Sequence, residues 1–106
     1  MSENKYVIVG IVRADKLWHT LILYELVGTE HPTLTRVRHR DLVDPINASV
    51  LLEFDREVAK HYEKYPQASM MSLEDAVAIM DAPDPNTARL VPGVWKYYIP
   101  KIKFET

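Results

Sequence analysis

The sequence predicts an α+β fold. The expected form is a two-layer sandwich whose mainly antiparallel four-stranded sheet carries two helices on one face, in the order β-β-β-α-α-β. Three observations lead there. Residues 5–13 and 17–27 are apolar runs joined by a short turn, residues 51–65 carry a helical apolar stripe, and residues 93–104 return to an aromatic, strand-like pattern. Strands that follow one another closely, with helices between them and a last strand, pack as a sheet covered by helices.

Residues 5–13, Lys-Tyr-Val-Ile-Val-Gly-Ile-Val-Arg, are rich in β-branched side chains and bounded by charge. Apolar and polar residues do not alternate, so this first strand reads as buried on both faces. Ala14-Asp15-Lys16 makes the turn into a second strand, residues 17–27, and the pair reads as a hairpin. A helix is the rival reading of 17–27, and the short turn decides against it. Gly28 to Pro32 is a loop. Thr33 to Arg40 alternates with a period of two and forms a third strand.

Asp44-Pro45 is a helix-start signal, an N-cap followed by proline at the first helical position, and Asn47 competes for the cap. The helix runs to about Tyr65. Leu51, Phe54, Val58, Tyr62 and Tyr65 recur at three and four residues, which makes one amphipathic face. Glu53 with Arg56, Glu57 with Lys60 and Lys60 with Glu63 form opposite-charge pairs on the exposed side. Pro66 stops the helix. Ser72-Leu73-Glu74-Asp75 opens a second helix with a capping pattern, and Leu73, Val77 and Met80 form its stripe beside Ala76. It ends before Pro83. The last strand, Gly93 to Phe104, contains Pro100, which places it at a sheet edge or gives it a bulge.

The chain has 106 residues, 47% hydrophobic and 26% charged, which suits a single domain over 1–106 with its own core. It has no cysteine, so thiolate nucleophiles, disulfides and cysteine-held metals are excluded. Its glycines are Gly10, Gly28 and Gly93, too scattered for a phosphate-binding loop. The longest apolar run, Tyr6 to Val12, is far short of the about 20 residues that span a bilayer. The first residues lack the basic segment of a signal peptide. The expectation is a cytoplasmic protein with no membrane partner. No cofactor and no metal is expected.

Two strips carry candidate binding residues. Arg36, Arg38 and Arg40 alternate along the third strand and so share one face, where three guanidinium groups could grip oxyanions. The ordinary alternative is a solvated or charge-protected edge. Asp41 and Asp44 follow and offset the charge, and the net charge of −2 does not favour nucleic acid. In the last strand Trp95, Tyr97 and Ile99 share one face, and Lys96 and Tyr98 share the other. The first set would pack on the helices, leaving Lys96 and Tyr98 exposed for a partner chain or stacked bases.

Catalytic signals are weaker. His19, His31, His39 and His61 form no metal-ligand spacing. Glu57 with His61 is a single helical pair. Ser49 and Ser72 sit where serine caps helices. Glu25 stands among apolar residues late in the second strand, where an acid could shuttle protons, although such a residue more often faces solvent.

The sequence therefore points first to a small non-enzymatic binding or interaction protein, an adaptor, inhibitor or mobile-element accessory protein. It would act on a partner protein or by self-association as a homodimer. A nucleic-acid or nucleotide binder using the arginines with Tyr98 or Trp18 is the alternative. A small enzyme drawing on Glu25, His19, His39 or Tyr24 in a sheet–helix cleft comes third.

Overall fold

The computed structural model describes residues 5–13, 17–28, 30, 33–61, 70–84 and 94–98. Six elements follow one another as β1 (Lys5–Arg13), β2 (Leu17–Val27), β3 (Thr33–Asp41), α1 (Ala48–His61), α2 (Leu73–Met80) and β4 (Val94–Tyr98). This is the expected α+β order. The turn at 14–16, Tyr62 and Tyr65, Gly93 and the stretch from Ile99 to Phe104 with Pro100 lie outside the described residues.

The four strands form one sheet in the order β3-β2-β1-β4. β1 pairs antiparallel with β2, and β2 with β3. β4 lies parallel to β1, with Ile8 opposite Val94 and Val12 opposite Tyr98, so the sheet is mixed and its antiparallel character is incomplete. Among the described residues β4 lies at the sheet edge, one of the two placements expected from Pro100. Met71 extends the same border of β1, exchanging backbone hydrogen bonds with Tyr6 at 3.0 and 2.8 Å.

The helices lie on opposite faces of the sheet, which corrects the expectation of one covered face. Val7, Val9 and Ile11 of β1 join Ile22 and Tyr24 of β2 under Leu51, Phe54 and Val58 of α1. Tyr6, Ile8 and Val12 join Leu21 and Leu23 under Ala76 and Met80 of α2. Successive strand residues point to opposite faces, so the two clusters are two cores separated by the sheet. The arrangement is three layers, not two. It follows from β1 itself: a strand with Val7, Ile8 and Val9 all at 0% exposure has apolar side chains on both faces, and each face needs a cover.

Local chemistry sets the helix starts. Asn47, not Asp44, caps α1: its Oδ1 accepts from Val50 N–H at 2.9 Å and its carbonyl from Leu51 N–H at 3.1 Å. Ser72 caps α2, accepting from Asp75 N–H at 3.2 Å. The α2 stripe differs from expectation. Ala76 and Met80 are buried and Ile79 packs beside them, while Leu73, in the first turn, is exposed. The Glu53–Arg56 and Glu57–Lys60 pairs form at 3.6 and 3.8 Å.

Two β-bulges reset the faces. In β2, Ile11 faces Thr20 but Val12 faces Trp18, so His19 is the extra residue and Trp18 turns onto the α2 face. There the Trp18 ring occupies the space above Gly10: a Cβ on Gly10 would stand 1.4 Å from Trp18 Cζ3. In β3, Leu23 faces Arg38 but Tyr24 faces Arg36, so Val37 is the extra residue. Gly28 ends β2 with φ 96°, a left-handed conformation that glycine adopts without strain. Among the described residues no helix is long and apolar enough to cross a membrane.

Candidate interaction surface

The bulge at Val37 breaks the arginine stripe. Arg36 stands opposite Tyr24 on the α1 face, whereas Arg38 and Arg40 stand opposite Leu23 and Leu21 on the α2 face. The strict alternation read from the sequence fails because one inserted residue inverts the parity of everything beyond it.

Each arginine is engaged inside the fold. Arg36 Nε donates to Asp55 Oδ2 of α1 at 3.0 Å, and the second oxygen of Asp55 accepts from the Tyr24 hydroxyl at 2.9 Å. Arg38 pairs with Asp81, just past the end of α2. Arg40 Nη1 donates to the carbonyls of Met80 at 3.0 Å and Ala82 at 2.7 Å. α2 has no basic residue in its last turn. Arg40 supplies the missing cation from the neighbouring strand, where carbonyls and helix dipole both favour positive charge. The arginines thus fasten α1 to one face of β3 and the end of α2 to the other. Asp55, Asp81 and Tyr24 are the partners that sequence reasoning missed. No spacing rule reveals them, because they lie 12 to 43 residues away along the chain and meet only through the sheet.

The last strand follows the predicted division of faces. Trp95 and Tyr97 pack toward α1, with the Phe54 and Tyr97 rings edge to face at 6.1 Å and 68°. Val94 packs on the opposite, α2 side, and Lys96 is exposed. The side chain of Tyr98 lies outside the described residues. Burial pushes the Tyr97 phenol above its usual pKa of 10.0, and the carboxylates of Glu57 and Glu53 on the adjoining flank of α1 push the same way.

The acid–base candidates are likewise built into the fold. The Tyr6 hydroxyl donates to Glu25 Oε2 at 2.8 Å across the β1–β2 pair. His19 is fully buried and lies 2.9 Å, Nδ1 to Oγ1, from the equally buried Thr20. Thr20 reaches Asp41 Oδ1 at 3.2 Å, and His39 Nε2 lies 3.7 Å from Asp41 Oδ2. Among the described residues no group of three or more His, Asp or Glu side chains is placed to hold a metal ion. The His61 side chain lies outside the described residues, and with it the Glu57–His61 pair.

Among the described residues, β3 runs for nine residues with a strand neighbour on one side only, so its outer border pairs with no described strand. Val37 at the bulge is 50% exposed. Leu52 of α1 is 49% exposed and lies one turn before Asp55, on the helix flank that meets β3 through Arg36. Val43, two residues past the end of β3, is 39% exposed. No protein-family model, curated protein or solved structure matches this chain.

Proposed function

We propose that this chain is a non-enzymatic interaction module that docks on a partner protein, or on a second copy of itself, through the outer border of β3. The observation that carries the reading is the contrast along that strand. Its three arginines are committed to Asp55, Asp81 and the carbonyls at the end of α2, while Val37 is half exposed and, among the described residues, no strand pairs with the outer border. Unpaired strand edges accept added strands, and a bulge with flanking charge limits this to short, selective pairing. The engaged arginines also weigh against phosphate gripping, and the buried, hydrogen-bonded Tyr24 and His19 are poorly placed to meet a substrate.

Light scattering on a concentration series of the wild type, Val37→Asp and Leu52→Asp tests the reading. A dimer that both substitutions dissociate supports self-association. If the wild type is monomeric, partners recovered by affinity capture are assayed against the same variants, and loss of binding in both supports docking on another protein. A monomer without a partner, or binding indifferent to both substitutions, overturns the reading.

A further inference from the structure

The Thr20 hydroxyl stands between two polar groups and has a single proton to give. Its Oγ1 is 2.9 Å from His19 Nδ1 and 3.2 Å from Asp41 Oδ1. At neutral pH a carboxylate only accepts hydrogen bonds, whereas a neutral imidazole nitrogen either donates or accepts according to its tautomer. A hydroxyl proton given to a carboxylate makes a stronger bond than one given to a neutral nitrogen. We infer that Thr20 donates to Asp41 and accepts from His19, so that the buried imidazole is locked as its Nδ1–H tautomer at the head of a one-way chain, His19 to Thr20 to Asp41.

The surrounding geometry holds the chain in place. His19 is the extra residue of the β2 bulge, and its carbonyl accepts from Leu42 N–H at 2.8 Å. Thr20 and Asp41 are directly opposed across β2 and β3. The other oxygen of Asp41 faces His39, which leaves Oδ1 to Thr20. The chain thereby joins a fully buried ring to a carboxylate whose side chain is 21% exposed. Which ring nitrogen carries the proton follows from the bond the other groups impose. The outcome leaves Nε2 as the lone-pair nitrogen of His19.

Long-range proton–nitrogen correlation NMR on the uniformly labelled protein reads the tautomer directly. The expected spectrum has a protonated, pyrrole-type Nδ1 and a pyridine-type Nε2 for His19, unchanged in Thr20→Ser. In Thr20→Val, which lacks the acceptor oxygen, the Nδ1 resonance should move toward the pyridine type as the fixed preference is lost. A Thr20 that served packing alone would lower stability in Thr20→Val without moving that resonance. An Nε2–H form in the wild type, or an unaltered Nδ1–H form in Thr20→Val, overturns the inference. Should Thr20→Val not fold, the wild-type and Thr20→Ser spectra decide, because an Nε2–H ring in either contradicts it.

Discussion

The ring of Trp18 occupies the volume where a side chain on Gly10 would stand, with the nearest ring carbon 1.4 Å from the ideal Cβ position. The two residues lie on neighbouring strands, and the bulge at His19 brings Trp18 onto this face. Gly10→Ala must therefore displace a 6%-exposed indole from a packed layer. Overpacking costs about 1–3 kcal/mol and more when rigid groups collide. Chemical denaturation should place Gly10→Ala about 3 kcal/mol below wild type, and Trp18→Leu should recover part of the loss in the double variant. Equal stability of Gly10→Ala and wild type would contradict this packing.

Asp55 serves two partners from two elements, the Tyr24 hydroxyl and the Arg36 guanidinium. Asp55→Ala leaves the 1%-exposed Tyr24 without that acceptor and should cost about 1–3 kcal/mol. The ion pair itself is partly solvated and should be worth about 1 kcal/mol or less. A double-mutant cycle between Tyr24→Phe and Asp55→Ala should thus report the larger coupling, and one between Arg36→Ala and Asp55→Ala the smaller. The reverse ranking would show that the arginine carries the staple.

The start of α1 can be read by comparing two caps. Asn47→Ala removes a side-chain oxygen from Val50 N–H and should destabilise by about 1 kcal/mol. Asp44→Ala, three residues earlier and exposed, should change thermal stability little. Equal losses would mean that the helix begins at Asp44-Pro45.

Tyr97 should titrate above its usual range, because burial and the Glu57 and Glu53 carboxylates disfavour phenolate. A raised folded-state value means that the native protein holds its proton where the unfolded chain has released it. The linked stability is whole below pH about 10 and declines as pH rises from there through the folded-state value. Ultraviolet titration of Glu57→Gln should bring the Tyr97 transition down toward 10.0. No movement would assign the whole effect to burial.

The bounds of β1 and β2 and the start of α2 were legible in the sequence because they rest on local chemistry, whereas α1 starts from Asn47, the competing cap, and not from Asp44. β1 and β2 fall at the expected residues, and Ser72 caps α2 as its pattern implies. The missing alternation in β1 also implied two covered faces, and the one-face arrangement ignored it. The bulges left no mark. Val37 is an unexceptional strand residue in composition, and its insertion is defined only against β2. That single register shift separates Arg36 from Arg38 and turns an apparent anion stripe into fastenings on opposite sides. The β3 border is visible only once the strand order is known.

The parallel pairing of β1 with β4 bears on how the chain assembles. Ile8 meets Val94, a separation of 86 residues. During synthesis β1 is followed directly by its neighbour β2, whereas β4 comes only after β3, α1 and α2 have been made. Until then an apolar strand presents an open flank, the kind of surface that chaperones retain and misassembly exploits. Closing so distant a pair delays the reward for ordering the chain, so β4 docking should set the pace of folding.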